Sequence, residues 1–201
     1  MTGTFLEAYE YARKFEGGYS NHSKDPGGET WKGIARKKHP SWEGWPSIDK
    51  AKADGYRGKG LEPVLSENVF LQDQVLTFYR RMFWEPIWGD TIAVASQRMA
   101  NDMFDMSINL GIGRASEFMQ RSLNLLNSNG QSWGEIAVDG DIGPETMKAF
   151  QSCVNDKRTG ARQLYKQLNL FQGSWYQHLM ETNPSRFETF IGWFARVDFI
   201  Q

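Results

Sequence analysis

The 201 residues suffice for one compact domain, or two small ones sharing a core, without disulfide or metal staples. Lys plus Arg number 23 against 24 Asp plus Glu, which excludes a strong electrostatic grip on nucleic acid, and the single cysteine excludes internal disulfides and multi-cysteine zinc sites. Uninterrupted apolar runs such as Ile92-Ala93-Val94-Ala95 reach about four residues against the ~20 of a membrane-spanning helix, and Glu7, Glu10, Arg13 and Lys14 interrupt any signal-peptide core.

Prolines at 26, 40, 46, 63, 86, 144 and 184 leave long proline-free windows, the pattern of a mainly α (α+β) chain. Thr4-Phe5-Leu6-Glu7 has the form of a capping box. Phe5, Ala8, Tyr9, Ala12 and Phe15 then build one apolar helix face, which Gly17-Gly18 ends. Residues 19–34 do not follow a helical period, and Asp25-Pro26-Gly27-Gly28 suits a tight reversal, so a small β-hairpin is expected here. Residues 40–62 are polar and rich in Gly and Trp, and yield no clear element. Helices are expected over 66–85, 91–110 and 115–126. Asp139-Gly140 makes a turn, and Pro144 opens a helix over 144–154. Further helices are expected at 158–171, 174–181 and 184–198. Much of the aromatic content, eight Trp, seven Tyr and thirteen Phe, is expected in the core, with a few exposed rings available to stack on sugar faces.

Three polar residues mark the first thirty positions: Glu16 at the end of the opening helix, Asp25 at the turn and Thr30 on its far side. A hairpin folding back over the helix end would suspend Asp25 and Thr30 above Glu16. Glycosidic cleavage needs one protonated carboxylic acid to donate to the leaving oxygen, and a second group across the sugar ring. The negative end of the helix dipole and the aromatic neighbours Phe15, Tyr19 and Trp31 would favour a protonated Glu16, while Asp25 on a wetter turn stays ionised. Spacing alone leaves the plainer reading open: a solvated glutamate before a Gly-Gly stop, and an ordinary turn.

The fuller motif is more specific. Glu16-Gly17-Gly18-Tyr19, Asn21, Asp25-Pro26-Gly27-Gly28-Glu29-Thr30 and Gly33-Ile34 resemble the signature of the glycoside hydrolase 108 family of N-acetylmuramidases, lysozyme-like enzymes of phages and bacteria. Phe78-Tyr79, Phe83-Trp84, Asp105, Asn109, Gly111, Arg114 and Ala115 continue the likeness. Asp139-Gly140-Asp141-Ile142-Gly143-Pro144-Glu145-Thr146 resembles a peptidoglycan-binding segment attached to that family, although a turn and a proline-led helix explain it equally well. The resemblance implies a lysozyme-like helical fold, with a catalytic region at 1–91 and a helical region at 92–201 sharing one core. It implies Glu16 as general acid, with Asp25 and Thr30 placing or activating water. Tyr19 and Asn21 would contact substrate, with packing an equal role for Tyr19. Asp105 and Asn109 would either line the cleft or form a buried network bracing the glycine turn. His22 fits an ordinary loop histidine.

No metal or cofactor is expected: His22, His39 and His178 lack ligand spacing, and neither Gly-Gly pair forms a phosphate loop. The expected partner is a peptidoglycan glycan strand, with no nucleic acid and no stable membrane insertion, and the chain is expected to be a monomer. Made in the cytoplasm without a signal peptide, it would reach the wall through a holin or another export route, as a prophage endolysin does. A lytic transglycosylase and a non-catalytic wall-binding or secretion-accessory protein are the alternatives.

Overall fold

The computed structural model describes residues 3–13, 18–21, 27–184 and 192–197. The chain divides into two compact units, Tyr9–Met82 and Met1–Ala8 with Phe83–Gln201. The first helix, α1 (Gly3–Arg13), crosses that division. The periodicity identified its inward face: Phe5, Ala8, Tyr9 and Ala12 are all buried.

In the unit Tyr9–Met82, the expected hairpin is a three-stranded antiparallel sheet of β1 (Tyr19–Ser20), β2 (Thr30–Trp31) and β3 (Ile34–Ala35), in that order. Tyr19 lies opposite Trp31, Ser20 opposite Thr30, and Trp31 opposite Ile34. The two-residue link Lys32-Gly33 has φ of 43° and 82°. Left-handed backbone at both positions is what a tight hairpin turn following the strands' twist requires, and it is costly at a lysine. Trp31 and Ile34 are fully buried.

Residues 40–62 hold a helix after all. In α2 (Trp45–Ala53), Pro46 sits in the first turn, where no N–H is needed, and Trp45, Ile48 and Ala51 are buried. A 3₁₀ turn (Gly58–Gly60) leads into α3 (Leu61–Glu67). The single helix expected over 66–85 is interrupted by Asn68. Its side-chain oxygen accepts from Leu71 N and caps α4 (Val69–Tyr79), and a π-helical turn, Arg80–Trp84, follows.

In the other unit, Phe5, Trp84 and Phe104 meet edge to face, with centroids 5.7–5.8 Å apart. Gly89 is required beside this trio, because a Cβ there would lie 2.2 Å from Trp84 Cδ2. The helix expected over 91–110 is two, α5 (Gly89–Ala95) and α6 (Gln97–Leu110), parted by extended Ser96, whose hydroxyl accepts from Met99 N. Next come α7 (Ile112–Leu126), α8 (Pro144–Asn155) and α9 (Gly160–Thr182). The last runs straight through Gly173, where two helices were expected; a helical glycine costs only about 1 kcal/mol, too little to break so long an element. Of the segment 184–198, the described part is a 3₁₀ turn, Gly192–Arg196. Among the described residues no helix is long and apolar enough to cross a membrane.

The Asp139-Gly140-Asp141 turn is held by one buried side chain. Gln120 Nε2 donates to Asp139 Oδ1 at 2.7 Å and Asp141 O at 2.9 Å, and Gln120 Oε1 accepts from the N–H groups of residues 139 and 140 at 3.1 and 3.0 Å. Leucine at 120 would leave those groups unpaired beside an apolar side chain. Gln120→Leu is therefore expected to destabilise the protein by about 1–3 kcal/mol, read as a lower urea midpoint at unchanged slope.

Candidate active site

Glu16 and Asp25, together with Phe15 and His22, lie outside the described residues. Their sequence neighbours are described: Glu16 falls between Arg13, the last residue of α1, and Gly18, while Asp25 falls in the connection from β1 to β2.

Thr30, on β2, is half-buried, and its hydroxyl donates to Gly28 O at 3.2 Å. With its proton so engaged, Thr30 Oγ1 offers lone pairs to any further partner. Gly28, at φ 69°, takes the left-handed conformation that the turn into β2 demands. Tyr19, opposite Trp31, donates its hydroxyl to Glu29 Oε1 at 2.8 Å, and Asn21 follows β1 as an exposed residue. Burial raises the Tyr19 phenol, and its hydrogen bond to the Glu29 carboxylate raises it further.

Glu29 is the hub that sequence reasoning missed. Its side chain is only 9 % exposed, and it pairs with Lys52 Nζ at 2.8 Å and Arg36 Nε at 2.7 Å. Arg36 also grips Asp49 with two nitrogens, at 2.7 and 3.0 Å, so the cluster ties the sheet to α2. Burial alone would push the Glu29 carboxyl up; the hydrogen bonds from Lys52 and Tyr19 and the charge of Arg36 outweigh it, and the group sits below its ordinary 4.5. A lowered folded-state value means stability that is complete above the ordinary value and lost as pH falls through the folded one. The melting temperature is therefore expected to fall on acidification below pH 4.5, and Glu29→Gln to flatten that dependence.

The β2–β3 turn is braced from three sides. Tyr79 Oη donates to Lys32 O at 2.8 Å, Lys32 N donates to Gly18 O at 3.2 Å, and Lys32 Nζ donates to Gln72 Oε1. Burial, then the charge of Arg13, lowers the Lys32 ammonium. Glu62 of α3 lies against Gly18: a Cβ on residue 18 would fall 2.0 Å from Glu62 Oε1. This carboxylate beside Gly18 had no signal in the sequence.

Asp105 and Asn109 belong to the other unit, one turn apart on α6. Asn109 Nδ2 donates to Asp105 O at 2.8 Å and to Asp105 Oδ1 at 3.0 Å. Asp105 is 2 % exposed and ion-paired with Arg196 of the last 3₁₀ turn, itself 8 % exposed. Nearby, Asp102 accepts from Tyr165 Oη, to which Arg98 Nε also donates at 3.1 Å. Burial holds the Tyr176 phenol up at about 12. Among the described residues no group of three His, Cys, Asp or Glu side chains could hold a metal ion.

Comparison with known proteins agrees with the arrangement of the elements. SagA of Brucella abortus has a similar fold, with a TM-score of 0.56 at 23% sequence identity over 97% of this chain and 90% of that one. No curated protein matches the chain. The family model described as a predicted peptidoglycan domain matches residues 114–198. The model of glycosyl hydrolase 108 matches residues 9–111, more than half of the chain, including positions 16, 25 and 30 and the three-stranded sheet. The chain thus belongs to the glycosyl hydrolase 108 family, as a lysozyme-like glycoside hydrolase that acts on peptidoglycan.

Proposed function

We propose that the enzyme is an N-acetylmuramidase, hydrolysing the β-1,4 bond between N-acetylmuramic acid and N-acetylglucosamine with Glu16 as general acid. The observation that carries this reading is the order of a helix and then a small antiparallel sheet, α1 then β1–β3, with the second half of α1 and the whole sheet inside the glycosyl hydrolase match. That order brackets Glu16, Asp25 and Thr30 within one short stretch of chain.

In this mechanism Glu16 gives its proton to the bridging oxygen as the bond to the leaving sugar breaks, and positive charge develops on the muramic acid ring. Glu16 follows Arg13 of α1 by three residues in the sequence, and in this reading its carboxyl lies toward the negative end of the helix dipole, which favours the protonated form that the step requires. Asp25 stays ionised and takes a proton from the attacking water, or stabilises the ring charge. Thr30 accepts a hydrogen bond from that water through Oγ1, since its own proton is held by Gly28 O. Tyr19, held by Glu29, and exposed Asn21 contact the sugar. Asp105 and Asn109 act in the network that braces the turn at Gly111.

Borohydride reduction of peptidoglycan digested by the enzyme identifies the bond that is cut. New reducing ends converted to muramitol are expected. Glucosaminitol instead would mean a glucosaminidase and would overturn the proposal.

A further inference from the structure

A groove of about 340 Å³ lies along α7 and α9, lined by Phe118, Arg121, Phe171, Ser174, Trp175 and His178. It falls within the range of small-ligand sites, about 300–1,000 Å³. Its chemistry is that of an aromatic floor with a cationic rim. Phe118 stacks on Phe171 at 5.6 Å and 15°, and the Trp175 ring lies 5.4 Å from that of His178. The Arg121 guanidinium lies 4.3 Å over Phe171, and the Arg114 guanidinium 4.1 Å over Trp175.

The two arginines differ in one respect. Arg114 is paired with Glu117 at 2.7 Å, whereas exposed Arg121 has no acidic partner among the described residues. Contact with the Phe171 ring places the Arg121 guanidinium without using its N–H edge in an ion pair among the described residues. That edge is the part that binds a carboxylate through two parallel hydrogen bonds. An aromatic floor for the apolar face of a sugar, beside a positioned fork for a carboxylate, fits an acetylated amino sugar that carries acid groups.

We infer that the α7–α9 groove binds the muramyl-peptide portion of peptidoglycan, with Trp175 and Phe171 against the sugar and Arg121 on a free carboxylate of the stem peptide. The inference rests on the reading of peptidoglycan as the substrate, and gives the region matched as a peptidoglycan domain a specific contact surface. The complementarity is of charge as well as shape, so a neutral glycan is the weaker ligand.

The test is co-sedimentation of the full chain with purified sacculi in the cold, with muramyl dipeptide and neutral N-acetylglucosamine trimer as soluble competitors. Arg121→Glu, on an exposed position, is expected to weaken retention about ten-fold or more, the loss of a charge-assisted contact. Muramyl dipeptide should displace the parent chain, with the neutral trimer much less effective. Because Trp175→Ala removes packing, Trp175→Phe serves beside it and should retain more binding than alanine. Parental retention by Arg121→Glu, or equal competition by both ligands, would overturn the inference. A monomer produced from a dimer by Arg121→Glu, with wall retention unchanged, would do the same and assign the groove to a second copy of the chain. Each of these outcomes is read by binding, so it is independent of whether Glu16 proves to be the proton donor.

Discussion

Replacing Glu16 by Gln is expected to slow loss of turbidity in a cell-wall suspension by about 10²–10⁴-fold, the contribution of a positioned general acid. The substitution keeps the size and polarity of the side chain and removes only the transferable proton. In energy it corresponds to about 3–5 kcal/mol of transition-state stabilisation. The sugar oxygen must then leave as an alkoxide, and the neighbouring Tyr19 phenol is a poor replacement donor, being raised by burial and engaged with Glu29. Folding should survive, because the buried apolar contacts of α1 come from Phe5, Ala8, Tyr9 and Ala12. An unchanged melting temperature with lost lysis separates chemistry from stability. Parental lysis by the variant would remove Glu16 from the mechanism.

The second large effect is on stability. Removing Arg196 takes away the ion pair that it makes with the Asp105 carboxylate, 2 % exposed, in a buried setting. Breaking one side of a buried pair costs about 3–5 kcal/mol, because the remaining charge is still desolvated. For a chain of this size that is a fall in Tm of about 6–20 °C, measurable by calorimetry on Arg196→Ala. Replacing both partners by apolar residues of similar volume, Arg196→Met with Asp105→Leu, should recover much of the loss, since the desolvation disappears with the charges. Asn109 would then lose only one of its two acceptors, keeping the Asp105 backbone carbonyl. A Tm for Arg196→Ala within about 2 °C of the parent would mean that the pair is open to water.

Elements whose buried positions recur over several turns were legible in the sequence. The apolar face of α1 and the proline-led start of α8 are examples. The hairpin followed from Asp-Pro-Gly-Gly, but the third strand depends on a left-handed lysine, which no propensity anticipates. In α2 only Trp45, Ile48 and Ala51 are buried, with Asp49, Lys50 and Lys52 among and after them, too short a stripe to stand out from polar loop. Asn68 and Ser96 sit inside otherwise continuous apolar patterns, and only their capping geometry reveals the breaks.

The same limit applies to the candidate site. The Glu-Asp-Thr spacing and its neighbours lie close together in the chain, and a motif can be seen. Glu29 is visible in that motif, but its partner Lys52 stands 23 residues away. Arg196 and Asp105 are separated by 91. Nothing local couples such residues, and their pairing is decided by tertiary packing alone.

Digestion of peptidoglycan in ¹⁸O-labelled water tests the central claim most directly. Hydrolysis with Glu16 as acid predicts one labelled oxygen at the anomeric carbon of each new N-acetylmuramic acid end, detected by mass spectrometry after immediate reduction to prevent exchange, and no such product from Glu16→Gln. Unlabelled 1,6-anhydromuramic ends throughout would contradict it, since the muramic acid hydroxyl, and not water, would then have taken the place of the leaving sugar.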